Sequence, residues 1–139
     1  MIGSVEVRVR YAETDQMGRA HHRNYLVWCE LGRTTLMREH GVSYAEMERS
    51  GVMLPVSRAE IEYRGAVGYD ELVRIETWVA RVRSRDIVFG YRMTRGSDGR
   101  LVAVARTTLV SADAEGRPVR LPPETRSLLA ALVTERDPE

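Results

Sequence analysis

Residues 5–41 read VEVRVRYAETDQMGRAHHRNYLVWCELGRTTLMREHG, and one change of period inside them decides the class of fold. Over residues 5–11, Val5, Val7, Val9 and Tyr11 alternate with Glu6, Arg8 and Arg10. A period of two belongs to a half-buried strand. Residues 12–22 have no clean period. Over residues 23–40 the apolar positions Tyr25, Leu26, Cys29, Leu36 and Met37 recur at steps of three and four, with Arg33, Arg38 and Glu39 off the stripe. That spacing predicts one long amphipathic helix, and Gly41 is its C-terminal stop.

Outward from this stretch, Ser43 and Glu46 have the spacing of a capping box for a short helix over 43–49, closed by Gly51. From Leu54 the pattern returns to strands, predicted over 56–64, 72–83, 86–95 and 101–111. GAVGYD, SRD, GSDG and DAEG supply turn residues for antiparallel connections. Pro123 and Glu124 open a last helix carrying Leu128, Leu129 and Leu132, and the final few residues are expected to fray. After the first strand, helices and strands are segregated, which gives an α+β fold with an antiparallel sheet rather than a doubly wound parallel one. Residues 1–139 fit a single domain without internal repeats.

In the strand over 72–83, Val73, Ile75, Thr77 and Val79 face one way. Leu72, Arg74, Glu76, Trp78, Ala80 and Val82 face the other. One helix covers one face of a sheet, so the face with Trp78 is expected to meet another copy of the chain.

Composition excludes several classes. Twenty-one basic and twenty acidic residues leave a net charge of +1, interleaved along the chain, which argues against a nucleic-acid partner. Every basic residue is arginine, so Schiff-base lysine chemistry and a Walker A lysine are excluded, while the guanidinium fork suits phosphates. The single cysteine, Cys29, excludes a disulfide framework and a multi-cysteine metal cage. With neither a signal peptide nor a membrane span legible, a cytoplasmic protein is expected.

Reactive side chains are densest at the strand-to-helix junction: Tyr11, Glu13, Thr14, Asp15, Gly18, His21, His22 and Tyr25. Loops on a rigid scaffold are where sites are usually built. Asp15 lies seven positions before His22, where the long helix should begin and where free N–H groups and the positive dipole end favour an oxyanion. A carboxylate facing those donors could attack an acyl carbon or draw a proton from water. The alternative for Asp15 is a plain turn residue. His21 and His22 lack a third spaced ligand for a metal site. Cys29 lies in the apolar stripe and reads as packing. No serine sits in a G-x-S-x-G context, and no glycines form a phosphate loop.

The stretch 7–33, VRVRYAETDQMGRAHHRNYLVWCELGR, resembles the hotdog-fold acyl-CoA thioesterases of the 4-hydroxybenzoyl-CoA thioesterase type. Their signature is a strand, then Y-x-x-T-D-x-x-G, then His or Tyr after a short gap, then a Tyr within the central helix. Tyr11, Thr14, Asp15, Gly18, His22 and Tyr25 match it in order and spacing. Residues 61–77, IEYRGAVGYDELVRIET, are similar to the family's strand-turn-strand, with Asp70 at the turn. The resemblance spans about residues 4–113 and implies a hotdog fold, one long central helix wrapped by an antiparallel sheet of about five strands.

It further implies an acyl-CoA substrate and Asp15 as the catalytic carboxylate, acting as nucleophile through a mixed anhydride or as general base. A backbone N–H near His22 would polarise the thioester carbonyl, with the His22 side chain in a catalytic or a structural hydrogen bond. Tyr11, Thr14, Gly18 and Tyr25 would line the substrate site, with no metal or cofactor. A homo-oligomer is expected, a dimer or a tetramer built as a pair of dimers, with each site shared across a dimer interface. Arg64, Arg83 and Arg85 are candidates for the CoA phosphates, and Arg19 and Arg23 lie beside the site; the alternative for each is a solvated surface arginine. Met53, Leu54, Val56 and Ile61 are candidates for the acyl pocket or for simple core. Two other functions stay open: a hydratase or dehydratase acting on acyl thioesters, and a non-catalytic acyl- or CoA-binding homo-oligomer.

Overall fold

A computed structural model describes residues 1–136. The final residues expected to fray lie largely outside them. The elements in chain order are β1 (Ile2–Arg8), a single 3₁₀ turn (Tyr11–Glu13), α1 (Asn24–Glu39), α2 (Tyr44–Arg49), β2 (Val56–Tyr63), β3 (Leu72–Val82), β4 (Asp86–Arg95), β5 (Leu101–Val110) and α3 (Pro123–Ala130).

The first strand begins and ends earlier than its alternation suggested. Val9 N donates to Glu71 O and Asp70 N donates to Val9 O, which closes the pairing with β3 and lets the chain turn away. Tyr11 therefore leaves the face shared by Val5 and Val7 and stands 77% exposed.

The long helix matches its expected span, and Gly41, at φ +84, ends it in the left-handed conformation glycine adopts without strain. Its buried stripe differs from the expected one, with Asn24 and Gly32 also buried. Trp28 is buried, Leu26 is 46% exposed, and Arg33, expected off the stripe, is half-buried between Cys29 and Met37. At Gly32 the helix lies against β3 so closely that a Cβ would sit 2.3 Å from Thr77 Oγ1. Ser43 caps α2, its hydroxyl accepting from Glu46 N at 3.3 Å.

β2 to β5 end within a residue of the predicted limits, all pairings are antiparallel, and the sheet order is β1-β3-β4-β5-β2. The connection containing GAVGYD is a correction. It is not a hairpin turn, because both sides of β3 are taken by β1 and β4, so residues 64–71 cross from the β2 edge of the sheet to β3, beside the opposite edge strand β1. β2 pairs with β5 through Ile61 and Ala105 and through Tyr63 and Ala103, and its residues are exposed along most of its length. It is an open edge within one chain.

Under α1 the inner face of the sheet carries Val73, Ile75, Phe89, Met93 and Ala103, and these form the core with Trp28, Cys29 and Leu36. On the outer face Trp78 is covered by its own chain. Trp78 is only 2% exposed without any other copy of the chain. Gly90 leaves room for its ring, since a Cβ there would lie 2.4 Å from Trp78 Cε2. The Arg136 guanidinium sits 5.2 Å over the ring and bonds Glu76 at 3.2 Å. Beyond the first residues of β1, Thr134 N donates to Val79 O, so the C-terminal segment takes up the edge of β3 that β1 leaves open.

Candidate active site

Residues 13–15 and 19–21 form a three-rung antiparallel ladder. His21 N donates to Glu13 O at 2.7 Å, Thr14 bridges Ala20, and Asp15 N donates to Arg19 O at 2.8 Å. Gly18, at φ +75, makes the turn that closes it. Asp15 Oδ1 accepts from Met17 N at 2.9 Å and from Arg19 N at 3.4 Å, the Asx turn anticipated as the plain reading of this residue. Oδ2 has no protein donor among the described residues, and Asp15 is half-buried. One oxygen thus fixes the loop while the other faces outward.

The ladder is held from below by Glu13, whose side chain is buried. Its Oε1 accepts from Arg10 N at 2.7 Å and lies 3.4 Å from Arg10 Nε, and its Oε2 accepts from Trp28 Nε1 at 3.3 Å. Buried Asn24 donates from Nδ2 to Glu13 O at 2.7 Å. The loop is thereby bolted to the first turns of α1. Thr14 Oγ1 donates to Tyr11 O at 2.7 Å, tying the 3₁₀ turn to the ladder.

The helix start is less open than expected. Asn24 N donates to His21 O, Tyr25 N to His22 O, Leu26 N to Arg23 O, and Arg23 N to His21 Nδ1. The N–H that keeps no acceptor among the described residues is that of His22 itself. It stands one residue past the other end of the ladder from Asp15, about 10 Å along the strand direction at ~3.3 Å per residue over three residues. The Asp15 carboxylate and this N–H donor thus mark the two ends of the ladder.

Tyr25 is buried against Trp28, with centroids 4.8 Å apart, and meets Tyr63 edge-on at 5.0 Å. Tyr63 OH donates to His22 O at 3.1 Å, and the His22 ring stacks on His21. Tyr63 was not among the sequence candidates. It reaches the site from the edge strand β2, and only the pairing of β2 with β5 puts it there. Burial pushes both the Tyr25 and Tyr63 phenols up, so both stay neutral donors. Burial likewise pushes the Cys29 thiol up to about 12, which leaves it inert packing.

The remaining candidates separate by position. Tyr11 packs its ring edge-on against Tyr69. Arg19 and Arg23 are exposed beside the ladder, and Arg64 follows Tyr63 with its guanidinium 3.1 Å from Glu62. Arg83 and Arg85 are exposed in the β3–β4 turn, on the order of 30 Å along β3 from the Asp15 end at ~3.3 Å per residue. One chain does not bring them to Asp15. Of the acyl-pocket candidates, Leu54 is buried, Ile61 half-buried, and Met53 and Val56 exposed. Among the described residues no three His, Cys, Asp or Glu side chains are grouped to hold a metal ion.

A five-stranded antiparallel sheet around one long helix, with an Asp-bearing loop at the start of that helix, defines a hotdog-fold thioester hydrolase. The family model described as the thioesterase-like superfamily matches residues 9–130, and the chain belongs to that superfamily. It is 39% identical over 114 residues to a putative acyl-CoA thioesterase, YneP, of Bacillus subtilis, covering 82% of each chain. The crystal structure of DHNA-CoA thioesterase from Staphylococcus aureus superposes with TM-score 0.90 at 30% identity, covering 94% of this chain and 89% of that one. A 4-hydroxybenzoyl-CoA thioesterase complex superposes with TM-score 0.83 at 19% identity over 92% of this chain and 98% of that one, a likeness of fold.

Proposed function

We propose that the protein hydrolyses acyl-CoA thioesters to a free acid and CoA, with Asp15 as the reacting carboxylate and the His22 N–H as the oxyanion donor. The observation that carries the assignment is the division of labour within Asp15: Oδ1 accepts two backbone N–H groups while Oδ2 accepts none among the described residues, on the same short ladder that leads to the His22 N–H, which has no acceptor among them. As general base, Oδ2 takes a proton from water while the oxygen adds to the thioester carbonyl carbon. The carbonyl oxygen gains the negative charge and receives the His22 N–H. Collapse breaks the C–S bond and expels the thiolate. As nucleophile, Oδ2 forms the C–O bond itself, and water then opens the mixed anhydride.

The names of the relatives, YneP among them, support CoA as the carrier. Arg64 is the phosphate contact from the same chain, and Arg83 and Arg85 serve a site in which a second copy takes part. The open edge of β2, with Val56 and Tyr63 exposed, supports a homo-oligomer closed through that side. The domain works as one unit in the cytoplasm. Among the described residues, no helix is long and apolar enough to cross a membrane.

The test is thiol release from short, medium, long and aromatic acyl-CoAs by the unmodified protein beside Asp15→Asn. Turnover is expected to fall by ~10²–10⁴-fold in the variant. Full activity in Asp15→Asn removes Asp15 from the chemistry, and binding without turnover by the unmodified protein replaces hydrolysis with acyl-CoA binding. A single turnover in ¹⁸O-water separates the two roles, label appearing in Asp15 only if its oxygen is the nucleophile.

A further inference from the structure

Among the described residues five arginines are half-buried: Arg33, Arg81, Arg92, Arg95 and Arg136. Four have a carboxylate beside them. Arg81 lies 3.8 Å from Asp86, Arg92 and Arg136 lie 3.5 and 3.2 Å from Glu76, and Arg95 lies 3.2 Å from Asp98. Arg33 has no carboxylate within ion-pair distance among the described residues. A charge drawn partly out of water without an opposite charge is destabilising. The chain nevertheless keeps this one on the buried stripe of α1, between Cys29 and Met37.

Its surroundings are those of a binding site. Beneath it the inner face of the sheet, otherwise largely apolar, carries the Tyr91 hydroxyl 2.7 Å from Thr107 Oγ1. Burial raises the Tyr91 phenol, and the Arg33 guanidinium is among the groups opposing that rise, which places the cation next to the hydroxyl. Beside Arg33 a groove of about 200 Å³ runs over Thr34 and Met37 to Tyr44, Leu54 and Leu109. Apolar walls with one cation and a few hydroxyls suit a ligand with an apolar body and an anionic end.

We propose that Arg33 selects the acyl group by receiving a carboxylate at its distal end, so that the preferred substrates are CoA thioesters of dicarboxylic acids. This rests on Asp15 and His22 marking the thioester end. Arg33 lies eleven residues beyond His22, about 16 Å along the helix axis at ~1.5 Å per residue. Helical side chains lean back toward the N-terminus, which leaves roughly 10 Å for the acyl body. At the His22 end of that interval Tyr63 donates to His22 O and meets Tyr25 edge-on. Glu30 lies on the rim of the same groove but is exposed, so its repulsion of a passing carboxylate is screened by water and salt.

The experiment measures thiol release from length-matched pairs, adipyl-CoA against hexanoyl-CoA and suberyl-CoA against octanoyl-CoA. It uses the native protein, Arg33→Met and Arg33→Lys, and records the melting shift each thioester gives each protein. The native protein is expected to favour the dicarboxylic member in kcat/KM by roughly tenfold or more, the scale of a charge-assisted hydrogen bond. Arg33→Met loses that preference, Arg33→Lys keeps part of it, and Arg33→Met melts no lower than the native protein because an unpaired charge is gone. Equal kcat/KM within each native pair, or an unchanged ratio in Arg33→Met, overturns the role of Arg33 and leaves hydrolysis standing. If no thioester releases thiol, the hydrolytic reading fails and the melting shifts decide: a larger shift with adipyl-CoA that Arg33→Met abolishes upholds Arg33, and equal shifts overturn it. Dissociation of the sedimenting assembly in Arg33→Met assigns Arg33 to an ion pair between copies and also overturns it.

Discussion

Two carboxylates sit two residues apart with opposite environments. Glu13 is 6% exposed with both oxygens engaged, whereas Asp15 is half-buried with one oxygen open. The first holds the loop, and the second is the carboxylate proposed to react. Glu13→Gln keeps an acceptor for Arg10 N but loses the ion pair with the Arg10 guanidinium and sets an amide NH2 against the Trp28 Nε1 donor, which loses its acceptor. A loss of about 1–3 kcal/mol in unfolding free energy is expected from urea titration. Because the Glu13 carbonyl positions His21 and Asn24, kcat should fall more than KM changes. Unchanged kcat in a folded Glu13→Gln protein would dissociate the loop's anchoring from its chemistry. At this scale, Tyr11, Thr14, Asp15, Gly18, His22 and Tyr25 were legible because they lie in one short run of chain. Tyr63 was not, since it lies 41 residues from His22 and arrives by strand pairing.

Between elements, Gly90 of β4 pairs with Trp78 of β3 and leaves room for its ring. A Cβ at residue 90 would lie inside the indole, so Gly90→Ala must displace the ring, and with it the Arg136 contact. Such overpacking costs about 1–3 kcal/mol. The fall should be visible in the melting temperature, together with a red-shifted tryptophan emission; an unshifted melt would show that the ring moves freely. The extents of β2 to β5 and α1 were readable from period alone, because alternation and the three-to-four step are local properties. Sheet order was not. GAVGYD has the composition of a hairpin turn, yet residues 64–71 cross the sheet, and period says which way a side chain faces but not which strand it faces across. The same blindness left Trp78 waiting for another copy, when Arg136 and Thr134 of its own chain cover that region.

For the molecule as a whole, several buried acids titrate late. Burial holds the Cys29 thiol at about 12 against an ordinary 9.0, and raises the phenols of Tyr25 and Tyr91. A folded state that keeps its proton above the unfolded pKa is favoured at lower pH, so these groups cost nothing below about pH 9 and destabilise progressively from there toward pH 12. Urea midpoints should be flat through neutrality and fall above pH 9, with the loss reduced in Cys29→Ala relative to its own neutral-pH stability. A midpoint indifferent to pH between 9 and 11 would contradict the burial. Sedimentation of the native protein at micromolar concentration is expected to exceed the 15.8 kDa of one chain. A 15.8 kDa species there would refute closure through the β2 side.

The ammonium of Met1 donates to the Thr134 hydroxyl, and Thr134 N in turn donates to Val79 O, so the two ends of the described chain meet on one strand. A short peptide could therefore splice tail to head, and new ends could be cut at the exposed Ala114–Glu115 turn, remote from the Asp15 loop. Such a circular permutant would translate α3 and the Trp78 cover before β1, yet it should assemble the same sheet and turn over the same thioesters.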